Sequence, residues 1–117
     1  MAAILAGCNA ISAELVTEFS GRGAATTREF EVTAPWILDW RVNSEYQRRM
    51  KIEIHLVDGV TGFHRGQILK EWQAANGVRL FNQSGRYRLR ISTSFANWRL
   101  KIEELTPDEA ALYTPRQ

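Results

Sequence analysis

The chain has 117 residues and a mass of 13.4 kDa, which bounds it to one domain with a single core. Apolar residues make up 44% and charged residues 24%, a globular balance that excludes a disordered chain. One cysteine excludes an internal disulfide and an all-thiolate metal site, and the net charge of +2 excludes a uniformly basic surface.

The chain opens Met1-Ala-Ala-Ile-Leu-Ala-Gly-Cys8. Leu5-Ala6-Gly7-Cys8 resembles a bacterial lipobox, in which small residues precede a cysteine that is lipidated. That resemblance implies a bacterial envelope protein, lipid-anchored or periplasmic, touching the membrane only through Cys8. No Lys or Arg precedes Arg22 and the apolar stretch is short, so a cytoplasmic protein is the alternative. Residues 1–12 are read as a signal remnant or flexible tether, and 13–117 as the folded domain.

Alternation sets the class of the body. Phe30, Val32, Ala34, Trp36, Leu38, Trp40 and Val42 occupy the even positions of one run, and only Pro35 and Ile37 interrupt the polar odd positions. A period of two places one set on one face of a strand. Pro35 has no N–H to give a ladder, so two strands or a bent strand are expected there. Ile52, Ile54 and Leu56 alternate in the same way, before a turn at Asp58–Gly62. Weaker strands are read at Leu15–Ser20, Gln67–Trp72 and Val78–Phe81. Tyr46–Met50 and Ile68–Ala75 could each hold a helical turn, but Ile68, Leu69, Trp72 and Ala75 fit a strand as well as a short amphipathic helix. Asn76-Gly77 is read as ending either, as a C-cap after a helix or a tight turn between strands. Tyr87, Leu89 and Ile91 alternate with Arg86, Arg88 and Arg90. Trp98, Leu100 and Ile102 alternate with Arg99 and Lys101. Thr106-Pro107-Asp108-Glu109 has the form of a capping box opening a short helix of about two turns.

These elements predict an all-β, antiparallel sandwich, Greek-key or jelly-roll-like, of seven or eight strands with a short C-terminal helix. Gly85-Arg86-Tyr87 followed by Leu89 and Ile91 resembles the penultimate strand of immunoglobulin-like domains, where the tyrosine hydroxyl closes a corner on backbone. Leu89 stands where an antibody domain has cysteine. Phe30-Glu31-Val32, Asp58-Gly59 and the Gly-x-Tyr strand together resemble exported bacterial modules of the pre-peptidase C-terminal type, over about Thr27 to Leu105. The aspartate-rich strand ends that such modules use for calcium are missing.

Charge is concentrated. Residues 65–101 carry a net +7, flanked by segments of −2 and −3. If 86–92 and 98–104 form a hairpin over Thr93–Asn97, Arg86, Arg88, Arg90, Arg99 and Lys101 share one outer face. Like charges opposite one another destabilise a ladder, so acidic neighbours (Glu29, Glu31 or Glu53) or an anionic ligand should offset them. Trp36, Trp40 and Trp98 fall on apolar faces and are expected in the core. Trp72 has no clear phase and is the candidate for an exposed platform. His55, Asp58 and His64 lie near one turn without metal-ligand spacing, so no metal and no cofactor are expected. No nucleophile elbow or phosphate-binding glycine loop occurs.

The resulting expectation is a non-catalytic envelope or secreted domain. It serves as a structural or protein-interaction module, through a partner or self-association at a sheet edge. The alternative is binding of acidic polymers or glycans through the basic face and Trp72. Nucleic acid is disfavoured because no exposed aromatic interleaves with the arginines.

Overall fold

The computed structural model describes residues 14–44 and 50–113. They form nine strands and one helix: β1 (Glu14–Arg22), β2 (Ala25–Thr26), β3 (Phe30–Val32), β4 (Trp36–Asn43), β5 (Ile52–Asp58), β6 (His64–Glu71), β7 (Ala75–Phe81), β8 (Gly85–Thr93), β9 (Asn97–Glu104) and α1 (Pro107–Ala111). The lipobox-like segment, Cys8 included, lies outside the described residues, as does most of Tyr46–Met50.

The strands make two antiparallel sheets. Sheet A has the order β1-β9-β4-β7, and sheet B the order β2-β8-β5-β6, with β3 also on β8. Count β2 and β3 as one interrupted strand along β8, and the pairs nest. First pairs with last, second with second-last, third with third-last, and the middle two with each other. That nesting is a jelly roll. Between the sheets lies a continuous core that includes Phe30, Trp36, Leu38, Ile54, Leu89, Ile91, Leu100 and Ile102.

The run from Glu29 to Val42 divides at Pro35. β3 joins sheet B and β4 joins sheet A, so the chain changes sheets where a ladder donor is missing. The interruption at Ile37 also has a cause. Ile37 points to the outer side of sheet A, where it packs with Leu80, Leu105 and Ala110 under α1. The helix opens with the expected capping box. The Glu109 N–H donates to Thr106 Oγ1 at 3.2 Å, and the Thr106 N–H donates to Glu109 Oε1 at 2.7 Å. It spans five residues rather than about two turns.

Two expectations are corrected and one open alternative is decided. Strands 86–92 and 98–104 do not form a hairpin, because β8 lies in sheet B and β9 in sheet A. The short link at 94–96 crosses the sandwich instead of closing a ladder. Asn76-Gly77 ends nothing: it lies inside β7, paired with Arg41 and Trp40 of β4. The glycine is needed there for approach, since a Cβ would overlap the Trp40 indole. Ile68–Ala75 is not helical. β6 ends at Glu71 and β7 begins at Ala75, with a bend between them.

The Gly-x-Tyr strand does close a corner on backbone. Tyr87 Oη donates toward the carbonyls of Gln83 and Ser84 at 3.3 Å, and Trp36 Nε1–H donates to the Gln83 carbonyl at 2.9 Å. Two buried polar ring groups are thereby satisfied.

Candidate functional site

Because β8 and β9 belong to different sheets, the five cations divide between the two outer faces. Arg86, Arg88 and Arg90 lie on the outside of sheet B. Arg99 and Lys101 lie on the outside of sheet A, with the core between the two groups. Most of them have local partners. Arg86 Nη2 is 3.9 Å from Glu31 Oε1, and Arg99 Nε is 3.7 Å from Glu18 Oε2. Arg88 is half-buried and donates to the carbonyls of Gly59 (3.5 Å) and Thr27 (3.4 Å), so it staples loops. Lys101 lies between Glu18 and Asp39 in the register. Arg90 is exposed between Thr26 and His55.

On sheet A, the fold adds a cation that sequence reading did not single out. Arg41 of β4 lies directly opposite Arg99 of β9. The two line a polar hollow with Ser20, Gly21, Asn43, Asn97 and Trp98. Within its lining, Asn97 Nδ2–H donates to Asn43 Oδ1 at 3.3 Å. Two guanidiniums facing one another beside amide groups have the chemistry to take an oxyanion. Alternation placed Arg41 on a polar face, but only strand pairing puts it beside Arg99.

Three tryptophans behave as core residues. Trp36 and Trp98 are buried, and Trp40 is half-buried. Trp72 is 60% exposed, so a platform is available there. Its ring is flanked by cations, with Lys51 Nζ 5.1 Å and Lys70 Nζ 5.9 Å from the centroid. Beside it is a largely apolar hollow formed with Met50, Ser94 and Phe95.

The β5–β6 turn is held by Asp58. Its Oδ1 accepts from the N–H groups of Val60 and Thr61 at 2.8 Å, and its Oδ2 pairs with Arg65 Nη2 at 3.1 Å. The backbone donors, then Arg65, lower the Asp58 pKa to about 2. Gly62 takes a φ of 79°, the left-handed conformation that closes the turn. Asp58 is therefore committed to structure and does not complete a site with the histidines. Among the described residues no group of three or more His, Cys, Asp or Glu side chains converges on a metal position.

No family model matches the chain, and no curated protein does. Among solved structures it is similar to infectious bursal disease virus, Gx strain. The identity is 11% and the TM-score 0.31, covering 86% of this chain and 32% of the other. It is also similar to the VP2 subviral particle of infectious bursal disease virus. There the identity is 12% and the TM-score 0.30, covering 91% of this chain and 33% of the other. The chain thus spans about a third of the length of each.

Proposed function

We propose that this chain is a non-catalytic interaction module that binds an extended polypeptide, from a partner or a second copy, at the free edge of β1. The inequality of the sheet edges carries this reading. β2 and β3, at one edge of sheet B, are two and three residues long and offer little template. At the β6–β7 side, Arg79 reaches across from β7, and its Nη1 donates to the carbonyls of Gln67 (3.0 Å) and Ile68 (3.3 Å) on β6. β1 is nine residues long and largely exposed, and among the described residues it pairs with β9 alone. From Thr17 to Arg22 its register is regular, which suits strand addition.

Sedimentation of the chain at rising concentration, and capture of partners at high salt, test the reading. Association should survive high salt, because ladder hydrogen bonds are not screened as ion pairs are. Hydrogen exchange of β1 amides should slow in the complex. Alternate residues of an edge strand point their N–H outward, so one of Thr17→Pro and Glu18→Pro removes an outward donor. A monomer with no partner, or association untouched by both variants, would rule the edge out.

An envelope location through lipidation of Cys8 belongs to the same proposal. Mass spectrometry of the protein made with its native upstream sequence tests it, and an unmodified Met1 would refute it. A second reading, capture of a small oxyanion, is favoured by the Arg41–Arg99 hollow alone. The wider basic face divides into two and is largely offset by Glu18, Glu31 and backbone carbonyls.

A further inference from the structure

We propose that His55 and His64 form a two-histidine site for a divalent transition-metal ion on the outer face of sheet B. β6 carries two register shifts against β5, one near Ile68 and one near Arg65. Each adds a residue, so Lys70, Gln67 and His64 pair in turn with Glu53, His55 and Val57. Directly paired residues share a face. His64 is therefore on the same face as His55, one step along the ladder. His55 Nδ1 lies 3.0 Å from His64 Nε2, with ring centroids 5.1 Å apart.

The second nitrogen of His55 is also fixed. His55 Nε2 lies 3.2 Å from Glu53 Oε1, and a carboxylate only accepts. A neutral His55 therefore carries its proton on Nε2 and presents the Nδ1 lone pair to His64. A carboxylate behind one ring nitrogen, with the other free, is the usual orientation of a metal-binding histidine. Glu53 is itself held by Lys51 Nζ at 3.3 Å, and its pKa is lowered, first by the His55 hydrogen bond and then by the Lys51 one.

The spacing suits an ion. Metal–nitrogen bonds of about 2.0–2.1 Å put two ligands about 2.9 Å apart at a right angle, and about 3.3 Å apart in a tetrahedron. Without metal, His64 Nε2–H donates to His55 Nδ1. With metal, His64 takes its other neutral tautomer, with the proton on Nδ1, and both facing lone pairs go to the ion. Neither neutral ring loses a proton overall. The exposed His64 ring can exchange that proton with water.

The imidazole donors set the choice of ion, and neighbouring charges weaken binding of any dication. Arg90 lies opposite His55, and Lys70 opposite Glu53, so cations partly oppose a dication there. Hard ions that prefer oxygen should not bind, and imidazole-preferring ions should rank Cu²⁺ above Ni²⁺ and Zn²⁺. Two protein ligands leave the remaining positions to water or to a donor from a bound partner.

The test is a titration of the untagged full chain with Ni²⁺ alone near pH 7.5, followed by calorimetry and by paramagnetic broadening in NMR spectra. One ion should bind per chain, with broadening centred on His55, His64 and Gln67. His64→Ala should lower the affinity at least tenfold without changing the melting temperature of the metal-free protein. Glu53→Gln should lower it about tenfold, as loss of an orienting carboxylate does elsewhere. Equal affinity in wild type and His64→Ala, or broadening centred away from β5 and β6, would overturn the site.

Discussion

Gly77 and Trp40 show how closely single residues are matched. The indole of Trp40 lies over the bare backbone of Gly77 across the β4–β7 ladder. Gly77→Ala gains about 0.4–1 kcal/mol from a less flexible unfolded chain. Overpacking against the ring costs about 1–3 kcal/mol, so the net sign is destabilising. Urea denaturation should show a loss of about 1–2 kcal/mol, restored in part by Trp40→Leu in the same chain. A Gly77→Ala protein as stable as wild type would mean the ring does not lie there. In the sequence Asn76-Gly77 has the form of a helix C-cap or a tight turn, because Asn-Gly is a strong signal for both. A glycine that makes room for an aromatic ring looks the same in a sequence. Thr106 is legible because its partner lies three residues away, whereas the Tyr87 corner is implied by the resemblance to immunoglobulin-like strands.

At the scale of elements, the clean strands are those that alternate over most of their length: β4 apart from Ile37, β5 up to Leu56, β8 and β9. β6 was ambiguous for a physical reason. Its two register shifts leave Ile68 and Leu69 both buried and set outward residues three apart, at 64, 67 and 70. That spacing imitates a helix, although the segment is a strand. The Gln67 and Ile68 carbonyls lie at one of these shifts, and Arg79 from β7 donates to both while its guanidinium lies 5.3 Å over Phe81. Arg79→Ala should lower stability by about 1 kcal/mol, given one shared charged donor at an exposed site. It should also leave β6 open to strand addition. Light scattering should then show association in the variant at concentrations where wild type shows less. Unchanged scattering would mean that β6 is protected by its bulges alone.

At the scale of the whole molecule, sheet assignment decides the surface chemistry. The hairpin reading of 86–104 put five cations together; the jelly roll sends three to one side and two to the other. It also brings Arg41 beside Arg99 from a distant part of the chain. Like charges opposite one another cost a few tenths of a kcal/mol or more at low salt. Arg41→Gln should therefore raise the melting temperature slightly at low ionic strength, with the gain vanishing as salt screens the pair. Sulfate or phosphate should stabilise wild type more than Arg41→Gln if the hollow takes an oxyanion. Equal stabilisation of both would remove the anion reading.

By itself the sequence determined what depends on near neighbours: strand alternation, the capping box and the all-β class. These need only a repeat of two residues or a reach of one turn. The tertiary structure alone decided which strands share a sheet, and hence which charges meet, which strands form edges among the described residues, and that the two histidines face one another. Alternation tells each strand which side to bury, and either sheet of a sandwich satisfies that demand equally well. The choice between sheets rests on pairings between distant strands, and no local pattern records them.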